Sequence, residues 1–172
     1  MTKRSRVLAA AAMAWVAATA EPAAQSTLSA QERAMAAYID AQAADATALL
    51  ERAVNINSGT LNLEGVRQVG ALFRAELDAL GFKTEWVDGA SWQRAGHLVA
   101  TRTGAGPKLL LIGHLDTVFE RDSPFQKFER AGMRATGPGI GDDKGGVVVI
   151  IAALRAMKAA GTLKDSNVTV VL

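Results

Sequence analysis

An α/β layered fold is what this sequence predicts, and three observations carry the prediction. Stretches with helical spacing of apolar residues alternate with short apolar runs bounded by turn formers. One of those runs, "KLLLIG" (108–113), is apolar on both faces, as a central strand in a covered sheet should be. A glycine-rich loop, "ATGPGIGDDKGG", then leads into an almost uniformly apolar helical stretch.

The elements follow in chain order. Residues 26–56 read as one long helix, because Ser29 and Glu32 have the spacing of a capping box and few breakers follow. "NSGTLN" (57–62) is rich in turn formers. A second helix places Val66, Val69, Phe73, Leu77 and Leu80 at near-helical spacing, with Gly81 as its stop. "FKTEWV" (82–87) alternates and reads as a strand, as does "HLVATRT" (97–103), ahead of the third strand at 108–113. Short extended pieces are expected around Phe125–Arg130 and Met133–Thr136. "VVVIIAALRAMKAA" reads as a buried helix stopped by Gly161, and "NVTVVL" (167–172) as a strand. Ending within an apolar strand reads as a domain that has been cut, since domain termini usually lie at the surface.

Composition sets further bounds. The 172 residues are 49% hydrophobic and 21% charged, the balance of a globular protein. Residues 1–20 combine a basic start (Lys3, Arg4, Arg6), an apolar run from Val7 to about Ala18, and small residues at Ala18 and Ala20. These are the parts of a secretory signal peptide cleaved after Ala20, and the run is shorter than the ~20 residues that span a bilayer. The expected mature chain, 21–172, is therefore exported, periplasmic or secreted, with no membrane attachment after cleavage. Residues 1–20 hold three of the 19 basic residues and none of the 17 acidic ones, so the remainder is close to neutral and offers no basic patch for nucleic acid. There is no cysteine and hence no disulfide.

Chemistry gathers at two places. His114 and Asp116 stand where the strand 108–113 runs out, the end of a strand at which ligands collect in α/β sheets. A neutral imidazole is a common metal ligand, and its second nitrogen usually needs a carboxylate to fix its tautomer. The pair is equally readable as a histidine capping a turn beside an ordinary loop acid. In "GPGIGDDKGG" (137–146) the adjacent Asp142 and Asp143 repel a phosphate, and Lys144 lacks the context G-x-x-x-x-G-K-[ST] of a phosphate loop. A divalent cation suits the acids better, while a turn with one of them capping the helix is the plainer reading.

Together, "LLLIGHLDTV" (109–118) and "GPGIGDDKGG" (137–146) resemble the two signatures of the zinc-dependent exopeptidases and deacylases. That family includes glutamate carboxypeptidase, acetylornithine deacetylase, succinyl-diaminopimelate desuccinylase, aminoacylase and related dipeptidases. "NSGT" (57–60) and "ALGF" (79–82) fall where the glutamate carboxypeptidase branch has similar text. The resemblance covers roughly residues 30–172. It implies a three-layer α/β/α sheet of the zinc exopeptidase type, present only in its amino-terminal part and without the smaller lid and dimerisation domain.

The resemblance also implies roles. His114 is similar to the histidine ligand of one zinc, and Asp116 to the acid that orients it. Asp142 resembles the carboxylate bridging two zinc ions, and Asp143 the position that follows, with a peptide bond between them that is typically cis. Gly145 and Gly146 would let the helix start pack closely, and Lys144 would form a local ion pair. The implied parent hydrolyses an amide bond next to a free carboxylate, in a peptide or N-acyl amino acid, and forms a homodimer. A glutamate general base, further ligands and a distant histidine complete the family site, and none is locatable here. The 172-residue chain alone is therefore expected to be inactive and poorly folded. A non-catalytic exported binding module, an inactive relic of the same fold and, more weakly, a nucleotide binder are the alternatives.

Among the other residues, His97 opens its strand where similar sequences often carry Asn, and a structural hydrogen bond is expected of it. Glu120, Asp122 and Glu129 read as surface acids. Trp15, Trp86 and Trp92 are isolated in sequence and suggest no stacking platform.

Overall fold

The computed structural model describes residues 28–172; the expected signal segment, 1–20, lies outside the described residues. Ser29 opens helix α1 (Ala30–Ala41) with the full capping box: its hydroxyl accepts from the Glu32 amide and its own amide donates to the Glu32 carboxylate. The expected single long helix is broken at Gln42, and α2 (Ala43–Val54) follows. Neither glycine nor proline marks the break. α1 buries no residue of its own, whereas α2 buries Leu49, Ala53 and Val54, and the bend lets both lie along a later helix, α4.

The turn at 57–62 ends at Asn62, whose side chain caps α3 (Leu63–Ala79) by accepting from the Gly65 amide. Val66, Val69, Phe73 and Leu77 form its buried stripe and Leu80 is buried just beyond, as the spacing predicted. Strands β1 (Lys83–Asp88), β2 (Gly96–Arg102) and β3 (Lys108–Ile112) follow, then a small antiparallel hairpin of β4 (Glu129–Ala131) and β5 (Arg134–Thr136). Helix α4 (Lys144–Ala159) and strand β6 (Asn167–Val171) complete the order.

The main sheet is mixed, in the order β1-β2-β6-β3, with β1, β2 and β6 antiparallel neighbours and β6 parallel to β3. One face carries Leu98, Ala100, Val168 and Val170, all buried in a single core with residues of α2, α3 and α4. Full burial of each large apolar side chain there, Phe73 or Ile151 for example, contributes ~1.5–3 kcal/mol. Glu76 of α3 ties the helical layer together, accepting from Arg52 of α2 at 3.2 Å and from Arg155 of α4.

Two expectations are overturned. Strand β3 is not central among the described residues: β6, last in the chain, inserts between β2 and β3 and leaves β3 at the edge. Leu109, Leu110 and Ile112 are accordingly 48%, 56% and 69% exposed. Helix α4 buries one face only, since Val149 is exposed while Val147, Val148, Ile151 and Leu154 are buried. No described helix is long and apolar enough to cross a membrane.

Candidate metal centre

The parallel pair β3–β6 brings the two motifs together. Gly113 extends the ladder beyond β3 by donating to the Val171 carbonyl, and the chain then leaves the sheet with His114 at its mouth. A β-carbon on Gly113 would stand 2.8 Å from the Asp143 carboxylate and 3.0 Å from Val147, so the glycine lets the start of α4 press against the strand end. At Gly146 the restriction is tighter, with 2.0 Å to Asp143 Oδ1. The held Asp143 carboxylate accepts from the His114 amide at 3.3 Å. Asp143 occupies the N-cap position of α4, yet makes no side-chain capping bond. The bond between Asp142 and Asp143 is cis.

The imidazole of His114 is held from both sides. Its Nδ1 lies 3.0 Å from the Asp116 carbonyl and 3.2 Å from Asp116 Oδ1, so a proton on Nδ1 is satisfied there. Its Nε2 faces Asp142 Oδ1 at 2.8 Å. Partial burial alone lowers the His114 pKa, but the Asp142 hydrogen bond and the charges of Asp116 and Asp142 outweigh it, and the imidazole titrates above its ordinary value. Asp142 itself is largely exposed, with a side chain 86% accessible.

Lys144 corrects an expectation. It forms no ion pair among the described residues but is fully buried, and its ammonium donates to the carbonyls of Ala53 (2.9 Å), in the last turn of α2, and Ile56 (2.8 Å), just beyond it. Burial pushes its pKa down to about 8. The lysine thus adds a donor to one carbonyl in the last turn of α2, which also accepts from the Ile56 amide, and to one just beyond that helix. It thereby fastens the loop bearing Asp142 to the helical layer.

A second fastening was not legible in the sequence. Thr117, buried behind the site, donates to the Ser58 carbonyl and accepts from the Thr60 amide, joining the loop 57–62 to the chain after β3 in a short parallel bridge with Gly59. This places the Thr60 hydroxyl 2.5 Å from Asp116 Oδ2. "NSGT" signalled a turn, but no spacing in the chain signals a contact across 56 residues. Glu120, read as a surface acid, accepts from the Leu61 amide and so belongs to the same fastening.

His97 makes no ring hydrogen bond among the described residues, against expectation. It is exposed, and its ring lies 6.3 Å from that of Trp92, which is therefore not isolated. A cavity of about 320 Å³ beside the site is lined by Thr60, Arg94, His97, His114 and Asp116 among others.

The donor set fits a divalent cation. His114 Nε2 and Asp142 Oδ1, 2.8 Å apart, are joined by a hydrogen bond when Nε2 carries a proton, and with the proton on Nδ1 both present lone pairs that a divalent cation beside them would satisfy. No group of three histidine, cysteine or acidic side chains placed to hold a metal occurs among the described residues.

Residues 110–172, from β3 through both motifs into β6, match the sequence model of a peptidase family. That model is the one for peptidase family M20/M25/M40. Consistent with this, carboxypeptidase G2 of Pseudomonas sp. (strain RS-16) is 38% identical over 126 residues, covering 70% of this chain and 30% of that protein. Among solved structures, human carnosine dipeptidase 1 superposes with a TM-score of 0.69 at 20% identity. The di-peptidase Dug1p from Saccharomyces cerevisiae gives 0.68 at 18% identity. Each alignment covers 81% of this chain and 33% of the other. The mixed sheet with its helical layer is thus a fold that M20/M25/M40 relatives share, and this chain spans about a third of their length.

Proposed function

We propose that this chain forms one wall of a two-zinc centre in an exported hydrolase that cleaves the amide bond next to a free carboxylate, releasing a C-terminal amino acid. The observation that carries the reading is the convergence of His114 Nε2 and Asp142 Oδ1 at 2.8 Å, with His114 Nδ1 held on Asp116. The match of residues 110–172 to a peptidase-family model and the likeness to a carboxypeptidase support peptide substrates.

In this reading His114, through Nε2, and Asp142, through its carboxylate, would hold zinc, and Asp116 would fix the tautomer that makes Nε2 available. Zinc, when bound, supplies Lewis acidity toward an amide carbonyl and toward water. Asp143 and Lys144 hold the loop rather than touch substrate: the first grips the His114 amide, the second the end of α2. A catalytic zinc normally has three protein ligands, so further ligands and a general base are needed besides these two residues. Homodimer formation and a leader at residues 1–20 belong to the same proposal, the latter resting on the basic and apolar pattern of that segment.

Grafting tests the reading. The 126 residues of this chain that align with carboxypeptidase G2 replace the aligned segment of that protein, and release of C-terminal amino acids from peptides is followed with and without zinc. Zinc-dependent release, abolished by His114→Ala and by Asp142→Asn, is expected. A folded, zinc-binding chimera that leaves peptides intact would contradict it.

A further inference from the structure

We infer that Thr60 is a positioning residue of the candidate centre, setting through Asp116 which nitrogen of His114 is free to bind a metal. The inference rests on the metal reading of His114. It begins from hydrogen-bond arithmetic. Thr60 has one hydroxyl proton and two acceptors in reach, Asp116 Oδ2 at 2.5 Å and the Thr117 carbonyl at 3.3 Å. The shorter contact, to a carboxylate, takes the proton, because hydrogen bonds to ionised acceptors are the shorter and stronger kind. Asp116 is then divided between two donors: Oδ2 receives the Thr60 hydroxyl, and Oδ1 is left to receive His114 Nδ1–H.

That division matters because the Asp116 carboxylate is not otherwise confined. Its side chain is 34% accessible, and no other side chain hydrogen-bonds it among the described residues. Without the hydroxyl it can rotate away from the ring, leaving Nδ1 only the Asp116 carbonyl, and the preference for a free Nε2 weakens.

Thr60 is also well placed to impose this geometry. Its amide donates to Thr117, the next amide donates to Glu120, and Asn57 and Asn62 lock the loop base, with Asn62 Nδ2 donating to the Asn57 carbonyl at 2.8 Å. The hydroxyl is therefore presented from a fixed backbone, and its effect on the metal passes through two hydrogen bonds.

The test compares the full chain with Thr60→Val, which keeps the shape and removes the hydroxyl, and Thr60→Ser, which keeps the hydroxyl. Two quantities are read: the imidazole ¹⁵N shifts of His114 in metal-free protein at alkaline pH, and zinc affinity by competition with a chromophoric chelator. Partners of a metal-bound histidine are worth 10–100-fold in affinity, and Thr60 acts one bond further out. Thr60→Val is expected to weaken zinc binding by roughly 10-fold and to move both nitrogen shifts toward the tautomer average, with Thr60→Ser restoring both. On an Asp116→Asn background, Thr60→Val is expected to change neither.

If Thr60→Val fails to fold, Thr60→Ala takes its place, as it removes the hydroxyl without adding bulk. Unchanged shifts and affinity in a folded hydroxyl-free variant would overturn the inference, as would failure of Thr60→Ser to restore them. Absence of zinc binding by the wild-type chain would overturn the metal reading, while the metal-free nitrogen shifts would still decide for or against Thr60.

Discussion

Lys144 shows how a charged side chain can be structural without an ion pair. Its two acceptors are carbonyls at and just beyond the end of α2, and both lose a donor if the ammonium is removed. Lys144→Met keeps most of the aliphatic stem and abolishes both bonds. A loss of at least ~2 kcal/mol is expected in urea unfolding of the metal-free chain, since hydrogen bonds to charged groups are worth ~1.5–3 kcal/mol each; an unchanged midpoint would mean the contacts carry no weight. Gly146→Ala is a companion case, because its new methyl would meet Asp143 Oδ1 at 2.0 Å. Either the Asp143 grip on the His114 amide is released or α4 shifts. The cost of such overpacking is ~1–3 kcal/mol, and the His114 amide resonance is expected to move in the same variant. "DDKGG" suggested a turn suited to a cation, but the role of its lysine depends on where α2 ends in space, which the local sequence does not state.

Helix α1 is held at its start by the Ser29–Glu32 box and contributes no buried residue, so its first turn responds to pH. The hydrogen bond from the Ser29 amide to the Glu32 carboxylate, and then the neighbouring Ser29 side chain, lower the Glu32 pKa. A depressed carboxylate contributes stability that is fully present above its unfolded pKa and is lost as pH falls through the lowered folded value. The Ser29 and Glu32 amide resonances are expected to report fraying of the first turn in that acid range, and Glu32→Gln should remove the pH dependence; an identical acid transition in the variant would contradict this.

Strand β3 makes a different point. Its apolar run was read as central because burial on both faces and an exposed apolar edge give the same local pattern. Only the arrival of β6 between β2 and β3 distinguishes them. Exposed apolar edges promote self-association. Leu110→Lys and Ile112→Lys are therefore expected to raise the concentration at which the chain stays monomeric in light scattering, with unfolding free energy changed by no more than about 0.5 kcal/mol. The long helix at 26–56 failed for the complementary reason: the alanine-rich text around Gln42 permits a helix, and packing of α1 and α2 on α4 imposes the bend.

Across the molecule, the parts legible in sequence were those whose pattern is local. The stripe of α3, the strand at 167–171, the short extended pieces near 129–136 and the pairing of His114 with Asp116 all rest on spacings of a few residues. The convergence of His114 and Asp142 spans 28 residues and was legible only because two motifs resembled one family's text. Thr60 stands in "NSGT", which resembled one branch of that family, but nothing in that text signalled its contact with Asp116 or the Glu120 tether, which cross from the loop 57–62 to the segment after β3. The candidate site is thus assembled by the β3–α4–β6 unit and braced by the α2–α3 loop, and His114 and Asp142, the proposed ligands, share one edge of the sheet. Zinc titration of the wild-type chain beside His114→Ala and Asp142→Asn tests this assembly most directly. Saturable binding weakened more than about 100-fold in each variant, beyond the 10–100-fold typical of outer partners, is the expected result. Equal binding in all three proteins, or none in the wild type, would contradict it.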